Sequence, residues 1–153
     1  MIDWPRLFRA LRGQPEPEPD KPLPLTGVPA TGDQVFQALM KVVPQSAHVY
    51  ISDNVYMLCS KADIDRFLAF DSTNKEVYVS ESHDCDDFSY RLMGQLSDSV
   101  WSGIAFGIIW TDAHAFNIMV DDQMQVWYIE PQSDAVKMSI EDWQGSEILF
   151  ICM

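Results

Sequence analysis

Cys85, His114 and Glu130 are the side chains of this sequence whose types and order could do chemistry. The cysteine stands in "ESHDCDDFSYRLMGQL", residues 81–96, among acids and directly before a helical pattern. Three roles compete for it: nucleophile, metal ligand, or ordinary buried thiol at a helix start. A helix N-terminus presents free N–H groups and the positive end of the dipole, so it favours a thiolate. The flanking Asp84, Asp86 and Asp87 act the other way. A nearby imidazole would settle the contest. His83 is local, but it lies outside the helix and cannot easily face the thiol. His114 opens an expected strand just after a turn, where a side chain can project over a sheet edge. A histidine that works as a base needs its second nitrogen held by an acceptor. Glu130 ends the next strand, reached through the turn "DDQM". If Val120 pairs with Gln125, His114 falls opposite Pro131, and a slip of one residue sets Glu130 beside it. Gln132 is the fallback orienter, and Pro131 ends the ladder.

The elements that must hold these residues are legible as local patterns. "TGDQVFQALMKVV" carries Val35, Leu39 and Val42 at helical spacing, with Pro44 as the stop. "HVYIS" and "VYML" read as short strands around a turn at Asp53 and Asn54. "SKADIDRFLAFD" opens with a capping pair, Ser60 with Asp63, and continues as a helix with Ile64, Phe67 and Leu68 inward. "EVYVS" reads as a short strand or extended segment, and residues 85–97 as the helix headed by the cysteine. "GIAFGIIWT", 103–111, is a near-continuous apolar run that suits a central strand. "HAFNIMVD" and "QVWYIEP" follow as strands, "SIEDW" as a short helix and "EILFICM" as a last strand. Helices first and an antiparallel meander after them make an α+β pattern.

The first 30 residues read as a separate segment. Residues 2–12 suit a short amphipathic helix, and "GQPEPEPDKPLPLTGVP", 13–29, is too rich in proline to be one. That leaves residues 31–153 as the folded domain.

Charge and composition narrow the function. The net charge of −13 repels nucleic-acid phosphates and anionic membranes, and no basic patch offsets it. A basic partner fits better. Three cysteines without regular spacing are not a disulfide framework, which suits a reducing, cytoplasmic setting. No stretch approaches the roughly 18 apolar residues of a membrane-spanning helix. Cys59 and Cys152 sit in apolar runs and read as packed thiols, and His48 as a surface residue.

The segments around the three chemical residues resemble a known group. "DCDDFSYRLMGQL" looks like the D-C-[ED]-[DE]-[YF]-[AS] segment of bacterial transglutaminase-like cysteine proteinases, "HAFN" resembles their H-A-[WF]-N segment, and "IEPQ" resembles the segment with the third member. The resemblance covers roughly residues 75–135. It implies a papain/transglutaminase-like α+β fold, with helices packed on an antiparallel sheet. It implies Cys85 as nucleophile, His114 as general base and Glu130 as orienter. The activity implied is a cysteine-dependent hydrolase or acyltransferase of peptidase type, acting without a cofactor on an amide or thioester of a peptide or protein. The sequence departs from the pattern at Glu130, where Asp or Asn is commoner. It also lacks a glutamine a few residues before Cys85, which leaves Tyr78, Asn74 or the Cys85 N–H for an oxyanion and Asn117 and Gln132 as supporting residues. Two other readings stand beside it: a non-catalytic interaction domain on the same fold, and a metal-dependent hydrolase around Glu81, His83 and Asp86.

Overall fold

Strand β5 (Ala115–Val120) is buried at every position, so its two faces must both be covered. The computed structural model shows how. It describes residues 20–25, 27–98, 100–141, 143 and 147–153; the helix expected over residues 2–12 lies outside them. The elements run β1 (Val28–Thr31), α1 (Gly32–Leu39), β2 (His48–Tyr50), β3 (Val55–Leu58), α2 (Lys61–Phe70), a 3-10 turn (Thr73–Lys75), α3 (Cys85–Leu96), β4 (Phe106–Thr111), β5, β6 (Val126–Glu130), β7 (Ala135–Lys137) and β8 (Ile148–Cys152). Phe116, Ile118 and Val120 of β5 pack with Val35, Ala38 and Leu39 of α1. Met119 packs on the other side with Phe67 and Leu68 of α2 and Leu92 and Leu96 of α3. A strand covered on both faces gains apolar burial from every residue, which is why "AFNIMV" shows almost no polar alternation.

The six-stranded sheet has the order β2-β8-β4-β5-β6-β7. The strands from β4 to β7 form the expected antiparallel meander. The sheet as a whole is mixed, because β2 pairs with β8 in parallel, His48 opposite Phe150. The expectation of an antiparallel sheet is corrected there. The last strand enters between β2 and β4, one strand in from the edge of the sheet. Gly107 permits this: a Cβ at that position would stand 2.2 Å from the Cys152 carbonyl oxygen.

Two further expectations change, and of the two readings of "EVYVS" the extended segment holds. "HVYIS" and "VYML" do not form a hairpin; β3 pairs with β1 instead, Pro29 opposite Met57. A two-stranded ribbon has a free edge, where a proline's missing N–H costs nothing. "EVYVS" makes only an isolated bridge between Val79 and His83. "SIEDW" forms no helix among its described residues. The helix start at Ser60 holds as the sequence indicates, and α1 has a capping pair of the same kind. Thr31 accepts from Gln34 N at 3.2 Å while Gln34 Oε1 accepts from Thr31 N at 2.8 Å. Ser60 and Asp63 make the equivalent pair at α2, at 3.1 and 3.2 Å.

One turn carries a pH-sensitive load. Asp134, between β6 and β7, has φ +57 and accepts a hydrogen bond from Asn74 Nδ2. Burial, and after it the charge of Asp71, pushes the Asp134 carboxyl up to about 6. A folded-state pKa above the unfolded one means that this group's contribution is complete below the ordinary carboxylate range, near 3.8, and is lost as pH rises through about 6. Asp134→Asn keeps an acceptor for Asn74 and tolerates positive φ. It raises the melting temperature at pH 7, and the gain vanishes at pH 4. Solvent screens this half-buried site, so thermal unfolding at the two pH values should show a gain of about 2–4 °C at most.

Candidate functional site

Cys85 is the first residue of α3, and the turn before it is tightly wound. His83 N donates to Val79 O at 2.7 Å, and Val79 N donates back to His83 O at 2.9 Å. Glu81 takes φ +61 inside this turn. Glu81 N donates to Asp84 Oδ2 at 3.0 Å, and Asp84 N donates to Asp87 Oδ2 at 3.1 Å. Asp84 and Asp87 are therefore occupied with starting the helix. Asp84 and Asp86 are hydrogen-bonded to each other, which holds the Asp84 carboxyl below its ordinary range and Asp86 above it. Arg91 pairs with Glu76 at 2.9 Å.

His114 sits just ahead of β5, in the turn from β4. Its N–H donates to Thr111 Oγ1 at 2.9 Å, and its carbonyl accepts from Thr111 N at 2.8 Å. Asn117 lies opposite Ile129, and continuing that register sets His114 opposite Gln132. Glu130 is then the diagonal neighbour on the same face, within reach of a long side chain. His114 Nε2 and Glu130 Oε2 are 2.6 Å apart, both side chains mostly shielded from solvent. The other Glu130 oxygen accepts from Gln132 N at 3.2 Å, which fixes the carboxylate.

Tyr78, Cys85, Ala113, His114, Glu130, Gln132 and Trp143 line one groove of about 470 Å³. The structure thus brings together five residues named from sequence. Tyr78 is exposed at the rim, its hydroxyl held above the usual range by desolvation and then by the charges of Asp84, Cys85 and Glu81. Ala113 was not indicated by the sequence, and Trp143 only as one of four tryptophans that could line a groove. Trp143 belongs to the segment read as a helix, and it reaches the groove by packing edge-on against Phe116, with ring centroids 4.8 Å apart.

Asn117 is not in the groove. It is fully buried and points at α3, where Nδ2 donates to Ser89 O and to Gly107 O, each at 3.1 Å. Ser89 Oγ in turn donates to the Cys85 carbonyl at 2.7 Å. Asn117 therefore ties the cysteine-bearing helix to β4 and β5. Two carbonyl neighbours force the NH₂ end of the amide toward them and leave Oδ1 without a partner. The metal reading gathers differently from its expectation. Asp84, Cys85 and Asp86 have ligand atoms within 4.8 Å of one another, whereas His83 packs on Phe88, with centroids 4.9 Å apart. Cys59 is a packed thiol, pushed up to about 12 by burial and then by the charge of Asp63.

The family model described as ricin-type beta-trefoil lectin C-terminal domain matches residues 33–150. The chain belongs to that family. Among solved structures, one titled PSL1a-E64 complex is similar with a TM-score of 0.69 at 21% identity, over 82% of this chain and 50% of that one. A second, Polyporus squamosus lectin bound to a human-type influenza-binding sialylated epitope, gives 0.66 at 21% identity, over 82% and 49%. The chain spans about half the length of these structures. No curated protein matches its sequence.

This membership overturns the assignment to the transglutaminase-like cysteine proteinases. The papain/transglutaminase-like fold class and the peptidase-type hydrolase or acyltransferase function fall with it. The resemblance rested on three short motifs within residues 75–135, whereas the lectin family model spans nearly the whole described domain. A cysteine at a helix start and a histidine at a strand start recur on unrelated scaffolds, so they do not by themselves fix a family. A peptide substrate is withdrawn on the same ground. Among the described residues no helix is long and apolar enough to cross a membrane.

The Asn117 bridge has a measurable strength. Asn117→Ala leaves two buried carbonyls without their donor and costs about 1–3 kcal/mol in urea unfolding. Asn117→Asp aims a carboxylate at the same two carbonyls and costs more than the alanine.

Proposed function

We propose that this chain is a ligand-binding domain of a glycan-recognising protein and that its ligand occupies the groove of Tyr78, Cys85, His114, Glu130, Gln132 and Trp143. The observation that carries the reading is membership in the lectin C-terminal family over residues 33–150. The groove's chemistry supports it. Trp143 and Tyr78 offer flat apolar faces, while His114, Glu130 and Gln132 offer fixed donors and acceptors, the mixture a small polar ligand needs. The net charge of −13 favours a neutral sugar over a sialylated one. Isothermal titration with N-acetyllactosamine and with its sialylated form tests this. The neutral disaccharide binds more tightly, and Trp143→Ala weakens it about tenfold, the loss of one aromatic contact. No heat or saturation at millimolar sugar of either kind ends the carbohydrate reading.

A second reading of the same groove gives Cys85, His114 and Glu130 the roles assigned from sequence: a thiol nucleophile, a base and its orienter. The 2.6 Å contact of His114 Nε2 with Glu130 supports it, because it leaves the other ring nitrogen to accept a proton. Tyr78 and Gln132, which line the groove with Cys85, are the supporting groups on this reading. On this reading iodoacetamide modifies Cys85 at least about tenfold faster than Cys59 or Cys152, and His114→Ala removes most of the difference. Equal rates for the three thiols, or rates indifferent to His114, remove the reactive thiol.

A further inference from the structure

Residues 20–25, "DKPLPL", lie outside the sheets and are held on the domain through their backbone. The indole N–H of Trp101 donates to the Pro22 carbonyl at 2.8 Å. Arg66 Nη2 donates to the Leu23 carbonyl at 2.8 Å. Leu25 N donates to Asp63 Oδ1 at 2.8 Å. The Lys21 ammonium donates to the Gln95 carbonyl, stands 3.5 Å from Asp98 and lies 5.2 Å from the centre of the Phe67 ring. The leucine side chains take little part: Leu23 is 57% exposed and Leu25 79%.

The side chains that receive these residues are braced by the domain. Trp101 is fully buried and braced edge-on by Phe67, with centroids 5.1 Å apart. Asp63 is almost fully buried, and the start of α2 and its 2.6 Å contact with Arg66 fix it in place. An indole N–H and a guanidinium serving consecutive carbonyls, beside an aromatic and acidic seat for a cation, match the needs of an extended proline-rich chain. Prolines supply carbonyls but no N–H groups, and their fixed φ lowers the entropy lost on docking.

We propose that the groove of Asp63, Arg66, Phe67, Gln95, Asp98 and Trp101 is a recognition site for proline-rich segments of the pattern Lys-Pro-x-Pro-x. In the chain alone its own residues 21–25 fill it. A partner protein presenting the same pattern fills it by displacing them. The site is separate from the Cys85 groove and shares no residue with it.

The test uses the full chain and a fluorescently labelled peptide, DKPLPLTG. Lys21→Glu with Leu25→Pro weakens the internal segment by reversing the charge beside Asp98 and removing the N–H that Asp63 accepts. Fluorescence anisotropy is expected to show the double variant binding the peptide at least about tenfold more tightly than the unaltered chain, whose tethered segment competes at millimolar effective concentration. Trp101→Phe in that background, or alanines for both prolines of the peptide, reduces binding. A folded double variant with no saturable peptide binding overturns the proposal. Should the double variant not fold, the unaltered chain is titrated to millimolar peptide. A shift of the Trp101 indole N–H resonance supports the site, and an unmoved resonance overturns it.

Discussion

One buried amide sets the position of the helix that carries Cys85 into its groove. Asn117 reaches from the middle of β5 to the carbonyls of Ser89 and Gly107, and Ser89 passes the link to the Cys85 carbonyl. A slide of α3 by one residue moves its backbone about 1.5 Å, enough to lose such a bond. Apolar packing between α3 and the sheet is strong but tolerant of small slips. The amide supplies the direction that packing lacks. Its orphaned Oδ1 shows that the arrangement is not the cheapest way to fill the space.

The other wall of the groove follows from a strand register. The β5–β6 turn sets Asn117 opposite Ile129, and two residues' offset at the strand ends lets Glu130 reach His114. The pair is shielded, and the second carboxylate oxygen is held by the Gln132 N–H. Little freedom remains in either ring or carboxylate. A groove with fixed polar groups on one wall and aromatic faces at its rim can discriminate ligands by shape and hydrogen bonding alike.

On the far side the domain is closed by its own proline-rich segment. The contacts of residues 21–25 fall on α2, on the C-terminal end of α3 and on Trp101. Cys85 stands at the opposite end of the same helix, roughly 16 Å away along its axis. The described residues 20–25 therefore brace the helix that the groove depends on at its end away from Cys85.

The sequence by itself determined the local events. Ser60 with Asp63 announces a helix start, because capping bonds join residues three apart. The apolar runs of β4 and β5 announce buried central strands, and Cys85 announces the head of α3. The tertiary structure alone decided which strands meet: β3 with β1, and the last strand in parallel with β2. Those pairings depend on which distant apolar faces are buried together, and no spacing within one segment carries that information. The same limit explains Trp143, whose place in the groove comes from contact with Phe116 across the fold. It also explains the family. The short motifs around Cys85 and His114 encode how a thiol and an imidazole are mounted, a local geometry that unrelated proteins reach independently. Membership is written in the packing of the whole domain, where each residue's burial is set by partners far away in the chain.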